Sequence, residues 1–375
     1  LVYTVDFDWD LMYFGWALNN MLGQATWEMT GHHCPADKSN YRLFTTEKGN
    51  IDLRESKLVS KIALLFSLQS RDWPRFTSYF PDVLGISQLL NLQHIPHVFI
   101  NEFALNAERL SNYEVLIVSN SMALSDNDIA AIRAFAEQGG RVYLSNRVAC
   151  YNENGDKRDN WPFADLIPLD IDVRRSIRAQ SLMKKGSSKE WFADDERHLS
   201  SVRTKLLKDE NSAYNTEWLF KDPQNRDNVA LYSAALGEGK IYYSPLLLGT
   251  PAHAPEIAVG KEFTFERFQK NETIALQILQ DIVQDANSWQ PIDIPEQVLT
   301  SISIDKGETV IHFLNATGSN LKKGDMVSRH APKNAFPELK KDLSFAVKLK
   351  NIQRAYAVSA DFAGEKELAY KKMAD

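Results

Sequence analysis

Trp27 and Glu28, followed at short range by His32 and His33, are the residues whose types and spacing most suggest a ligand. An indole face stacks on a pyranose ring, and a carboxylate accepts hydrogen bonds from sugar hydroxyls. The four are therefore candidate carbohydrate contacts; the alternative is a packed indole beside a solvated carboxylate. His32, His33 and Cys34 also put three metal-ligand types in a row. Adjacent side chains diverge and no matching distal pair follows, so no metal site is expected. Cys150 with His253 and Glu256 could form a nucleophile, a base and an orienting acid. The residues leading to Cys150, from Ser145 to Ala149, lack the glycines of a sharp elbow, and His253 lies in a Pro-rich loop. Cys150 is accordingly expected as a small buried hydrophobe. Ser67, Ser70, Ser119, Ser121 and Ser145 follow apolar runs outside any G-x-S-x-G pattern and are expected to satisfy turns. No glycine-rich phosphate loop follows a strand, so nucleotide or other cofactor binding is not expected.

The elements able to position such groups are strongest between Lys61 and Asn146. Four near-continuous apolar runs beginning at Lys61, His97, Tyr113 and Arg141 read as buried strands. Between them, Asp82 to Gln93 carries Val83, Ile86, Leu89 and Leu90 at helical spacing. Ser125 to Asp128 caps a second helix bearing Ile129, Ile132 and Phe135 on one side, and Gly139-Gly140 ends it. Buried strands alternating with helices predict a doubly wound α/β core with a parallel sheet covered on both faces.

Further along, 166–228 has weak periodicity, many charges and scattered aromatics, and is expected as an insertion with some helix. Asn228–Ala235 and Lys240–Ser244 read as a strand pair about a glycine turn, and Phe263–Asp285 as a helix. After Trp289, period-two alternation in Val298–Ile304, Thr309–Leu314, Leu343–Leu349 and Ala355–Ser359 predicts a small antiparallel β domain. The 375 residues suffice for two or three domains. A net charge of -6 argues against a nucleic-acid or anionic-membrane partner. Two cysteines are too few for a disulfide framework, and no apolar run has the length of a membrane span. Nothing assigns a compartment. The chain opens at Leu1, without an initiator Met and already inside a strand-like run, as expected of the downstream part of a longer protein.

Phe66–Arg71 after the first strand, Gly139-Gly-Arg-Val-Tyr-Leu144, the Tyr151–Arg158 loop and Gly237–Pro245 together resemble the middle domain of glycoside hydrolase family 42 β-galactosidases. That domain is amidotransferase-like without the catalytic cysteine and serves trimerisation; it follows a TIM barrel and precedes a small β domain. The resemblance implies a flavodoxin/class I glutamine-amidotransferase-like sheet over 57–288; the long 166–228 insertion is a departure from the family. It implies the end of a TIM barrel plus linker over 1–56, and a small β-sandwich-like domain over 289–375. The implied function is the largely non-catalytic downstream part of a β-galactosidase-like glycoside hydrolase, with a carbohydrate substrate and self-association, as a trimer in that family. The aromatic insertion residues Trp191, Phe192, Trp218 and Phe220 are the expected extra contact surface, the alternative being that the rings pack the insertion onto the sheet or against the barrel. The family's catalytic carboxylates sit on earlier barrel strands, so no pair is named here, and Glu28 is expected as a substrate contact. A stand-alone carbohydrate-binding or assembly module, and a hydrolase working through Cys150, are the competing readings.

Overall fold

The computed structural model describes residues 2–4, 9–24, 26–28, 56–73, 78–193, 199–207, 213–250, 255–257, 263–265, 269–284, 286, 289–317, 339, 342–349, 352–359, 361–362 and 364–372. The chain divides into two compact units: Leu1–Val59 with Ser288–Leu321 and Asp325–Asp375, and Ser60–Asn287 with Lys322–Gly324.

The first unit opens with strand β1 (Val2–Thr4), helix α1 (Trp9–Met21), and strands β2 (Thr26–Glu28) and β3 (Lys57–Leu58). Strands β1 and β2 pair in parallel, with Val2 opposite Thr26 and Thr4 opposite Glu28. With α1 between them they form a β-α-β unit, the connection that parallel strands require.

In the second unit the four strands and two helices expected between Lys61 and Asn146 are present, with two further short helices between them. They are β4 (Ile62–Leu65), α2 (Leu68–Asp72), α3 (Tyr79–Leu92), β5 (Val98–Ile100), α4 (Ala107–Leu110), β6 (Val115–Val118), α5 (Asp126–Glu137) and β7 (Arg141–Ser145). A capping box fixes the start of α5: Ser125 accepts from the Asp128 N–H while the Asp128 carboxylate accepts from the Ser125 N–H. The four strands lie parallel in one sheet in the order β7-β6-β4-β5. Their side chains alternate between two cores. Ile62, Leu64, Val115 and Ile117 face Val83, Ile86, Leu89 and Leu90 of α3, while Ala63, Leu65, Leu116 and Val118 face Ile129, Ile132 and Phe135 of α5. Both faces are covered, which is why β4 and β6 are wholly apolar and β7 keeps polar residues only at its two ends, Arg141 and Ser145.

The sheet is larger and more mixed than a wholly parallel reading implies. The chain continues through β8 (Leu169–Ala179), β9 (Ser181–Lys184), β10 (Glu190–Phe192), β11 (Leu199–Leu206), β12 (Tyr214–Lys221), β13 (Asp227–Leu236) and β14 (Gly239–Ser244). The nine strands run in the order β10-β9-β12-β13-β14-β7-β6-β4-β5. Strand β14 joins β7 in parallel, and the pairs from β10 to β14 are antiparallel. The helix expected within 166–228 is absent among the described residues, and strands stand in its place. Their period was concealed by local irregularity. The pairing of β12 with β13 shifts register on both sides of Trp218, and that of β11 with β8 shifts at Val202/Arg203. A bulge inserts an extra residue and breaks the alternation that marks a strand.

Strands β15 (Pro255–Ile257) and β16 (Phe263–Phe265) form an antiparallel pair, and α6 (Gln269–Val283) follows. The helix expected from Phe263 thus starts later, after a short strand. Ile274, Ile278, Leu279 and Ile282 of α6 join the core on the α3 side. No helix among the described residues is long and apolar enough to cross a membrane.

The first unit is completed by β17 (Trp289–Asp293), β18 (Val298–Asp305), β19 (Glu308–Asn315), β20 (Ser344–Val347), β21 (Tyr356–Ala357) and β22 (Lys366–Glu367). These pair antiparallel, as β18 with β19, β17 with β20 and β21 with β22. Strand β3 adds to the free edge of β18, and the Ser301 hydroxyl donates to the Met21 carbonyl at the end of α1 (3.0 Å). Trp289, Phe313 and Phe345 pack their rings at tilted and edge-on angles in this region, with centroids 5.2–6.1 Å apart.

Candidate functional site

Trp27 and Glu28 fall on β2, and Glu28 is its last residue, at the carboxyl end of a parallel strand. Parallel β/α folds gather their ligand-contacting groups at that end, because the connecting loops there vary without disturbing the sheet. His32, His33 and Cys34 lie outside the described residues, as does His253.

The carboxyl ends of the central sheet are the other place where such a fold binds ligands, and here they carry a polar network. The Ser67 hydroxyl accepts from the Ser70 N–H at the start of α2 (3.0 Å), and the Glu102 carboxylate accepts from the Leu68 and Gln69 N–H groups (3.1 and 3.2 Å). The Ser70 hydroxyl accepts from the Ala123 N–H (3.0 Å) and donates to the Ala123 carbonyl (3.2 Å). Ser145 accepts from the Asn120 N–H (2.9 Å). These strand-end serines satisfy turns, as their sequence context suggested.

Asn120, two residues beyond β6, and Asn146, one residue beyond β7, adopt left-handed backbone conformations with φ of 46° and 50°. A nucleophile elbow uses such a sharp strand-to-helix turn to expose a reactive side chain. Asparagine tolerates the conformation but is no nucleophile. The Asn146 side-chain NH2 donates to the Pro245 carbonyl (2.7 Å), and the Asn146 backbone carbonyl accepts from the Tyr243 hydroxyl (2.8 Å).

Cys150 lies beyond that turn, buried in the apolar cluster that includes Val148, Ala149, Trp161 and Tyr243. Burial pushes its thiol up to about 12, so the thiolate that nucleophilic attack requires is scarcely populated at neutral pH. This burial argues against the Cys150 hydrolase, whose partner His253 lies outside the described residues.

The most unusual ionisable group in the network is one that sequence reasoning missed. Asp82 sits in the first turn of α3, where an acidic residue ordinarily signals a solvated helix start. Here it is fully buried. Its Oδ2 accepts from the Ser119 hydroxyl (2.5 Å), and its Oδ1 accepts from the Gly249 N–H (2.9 Å), the Thr250 N–H (3.1 Å) and the Thr250 hydroxyl (3.4 Å). Burial pushes its carboxyl up to about 6, against the opposing pull of those four donors. The available signal was the pair Gly85 and Gly249: a β-carbon on Gly85 would strike the Gly249 backbone and one on Gly249 the Asp82 and Ile86 backbone, so the turn lies directly on the helix.

The aromatic insertion is mostly core, contrary to its expected role as a surface. Trp218 and Phe220 are buried, and half-buried Trp191 packs on Trp218 at 5.3 Å. The Trp218 indole N–H donates to the Asp281 carboxylate (2.8 Å), which also takes the Lys184 ammonium (2.7 Å). Of the four rings only Phe192 is exposed. Among the described residues, no group of three His, Cys, Asp or Glu could hold a metal ion.

No protein-family model matches the sequence, and no curated protein does. Solved structures do match. The α-L-fucosidase isoenzyme 2 from Paenibacillus thiaminolyticus superposes on 98% of this chain and 54% of its own, with a TM-score of 0.65 and 13% identity. A β-galactosidase from Bacillus circulans sp. alkalophilus matches over 72% of this chain and 37% of its own, with a TM-score of 0.52 and 13% identity. Gan42B, a GH42 β-galactosidase from G. stearothermophilus, matches over 68% and 35%, with a TM-score of 0.49 and 12% identity. The fold is therefore a mixed α/β architecture found within glycoside hydrolases. More particularly, it resembles part of a β-galactosidase, as the short motifs implied, and this chain spans only 35–54% of the lengths of those three solved chains.

Proposed function

We propose that this chain is part of a glycoside hydrolase, β-galactosidase-like in organisation. In this reading the region 57–288 is an amidotransferase-like domain that has no working nucleophile and serves structure and association. The region 1–56 is the end of a β/α barrel, and 289–375 is a small β-sandwich-like domain. The observation that carries the proposal is the β1-α1-β2 unit, which ends at Glu28 on the carboxyl side of a parallel strand. Barrel enzymes place their chemistry at such positions. The fold match over 98% of the chain to a longer glycosidase supports the same reading.

Glu28 then contacts the sugar, with Trp27, His32 and His33 as neighbouring contacts. Hydrolysis with retention needs two carboxylates about 5 Å apart, and inversion a wider pair. The catalytic pair is assigned to barrel strands outside this chain. The solved neighbours offer two substrate classes, β-galactosides and α-L-fucosides, and the intact protein should be assayed on aryl glycosides of both. Glu28→Gln, which keeps the shape and removes the charge, should raise KM or lower kcat/KM at least tenfold. Unchanged kinetics in a folded Glu28→Gln protein would remove Glu28 from the site. Absence of hydrolysis, with sugar binding retained, would favour the binding-module reading. Self-association belongs to the same proposal; a clean monomer in sedimentation at high micromolar concentration would remove it.

A further inference from the structure

We propose that Asp82 is a pH-responsive pin between helix α3 and the Gly249–Thr250 turn, closed when the carboxyl is protonated and looser when it is ionised. The geometry comes first. Both carboxyl oxygens are occupied, Oδ2 by the Ser119 hydroxyl at the end of β6 and Oδ1 by the Gly249 and Thr250 N–H groups and the Thr250 hydroxyl. Every one of these donors is neutral. The titratable side chain facing Asp82 from β7 is the Tyr143 phenol, which burial and the Asp82 charge keep protonated. Among the described residues, β6 and the turn offer it only serine, glycine and threonine. The ionised carboxylate is thus a buried anion held, among the described residues, by neutral hydrogen-bond donors, an arrangement costly in a low-dielectric interior.

The protonated form fits the same geometry. Its proton is donated to the Ser119 oxygen, and the Ser119 proton turns to the Ser145 hydroxyl, 3.3 Å away. Oδ1 keeps its three donors. Protonation therefore preserves the network, whereas ionisation favours any motion that lets water reach the carboxylate. The motion available is lifting of the Gly249–Thr250 turn, which is held on α3 by these bonds and by the Gly85–Gly249 contact. The turn follows β14 beyond its carboxyl end, on the side where doubly wound sheets bind ligands, so the pin couples access at that edge to acidity.

The size of the coupling follows from linkage. With the carboxyl at about 6 when closed and at its ordinary 3.8 when open, the opening equilibrium rises about tenfold between pH 5 and 7.5. The test is amide hydrogen exchange at Gly249 and Thr250 in the full chain, corrected for the intrinsic pH dependence of exchange. Protection should fall about tenfold from pH 5 to 7.5 in the parent and stay flat in Asp82→Asn. A flat parent profile, or the same slope in Asp82→Asn, would overturn the pin. Should Asp82→Asn not fold, Ser119→Ala decides. Losing a donor to the ionised form must move the midpoint of the exchange profile upward, and an unmoved midpoint overturns the proposal as well.

Discussion

Replacing Gly85 by alanine sets two effects against each other, and the structure says which should win. Gly85 lies in the interior of α3, where intrinsic helix propensity favours alanine over glycine by about 1 kcal/mol. Against this, a β-carbon on Gly85 would sit 1.8 Å from the Gly249 carbonyl oxygen, 2.4 Å from its carbon and 2.8 Å from its Cα. All three atoms are backbone, so no side-chain rotation relieves the clash. The helix and the turn must part, which loosens the packing of Val83, Ile86, Leu89 and Leu90 and strains the bonds from Gly249 and Thr250 to Asp82. Overpacking of this kind costs about 1–3 kcal/mol, and a buried acceptor losing its donors about 1–3 kcal/mol more. Less the propensity gain, Gly85→Ala should destabilise the protein by about 3 kcal/mol, read as a fall in the urea midpoint at an unchanged slope. Gln88→Ala, half-buried on the same helix, should stay within about 0.5 kcal/mol of the parent. A Gly85→Ala protein as stable as the parent would refute the backbone-to-backbone contact, because propensity alone would then govern the site.

Asp82 should also leave a signature in global stability. Its carboxyl is raised from 3.8 to about 6 on folding, so its favourable contribution is fully present below pH 3.8 and is lost as pH rises through 6. Parent and Asp82→Asn urea midpoints should therefore diverge with rising pH, the variant gaining about 3 kcal/mol relative to the parent by pH 7; a constant difference would contradict the burial argument. His312 works in the opposite sense. Its imidazole, with Nε2 3.0 Å from the buried Ser303 hydroxyl, is lowered by burial from 6.5 to about 4, so its contribution is present above pH 6.5 and is lost as pH falls through 4. His312→Gln should remove that acid sensitivity from the first unit, measured by ring-region fluorescence of Trp289 between pH 4 and 7. Cys150 should resist iodoacetamide in the folded protein at pH 8 and react in urea, followed by mass spectrometry of its peptide, and Cys150→Ala should leave any glycosidase activity unchanged.

The parts of this protein that were legible in its sequence are those in which local pattern and tertiary role coincide. Strands β4, β6 and β7 are buried on both faces, so their apolar runs are continuous and could be read directly. The Ser125–Asp128 capping box is likewise written in adjacent residues, and Ile129, Ile132 and Phe135 at helical spacing already named the face of α5 that packs on the sheet. Strands β8 to β12 were not legible, because bulges and a charged outer face erase the period that would announce them. Glu28 was flagged from its type and its neighbour Trp27, but only the pairing of β1 with β2 puts it at a strand's carboxyl end. Trp218 and Asp281 lie far apart in the chain and become partners through the packing of β12 beneath α6. Asp82 is the clearest case. Its sequence position describes a solvated first-turn carboxylate, and its actual state is decided by Ser119 and Gly249, 37 and 167 residues away. An ionisable group takes its charge from the dielectric and the donors around it, and those are assembled only when distant segments close over it.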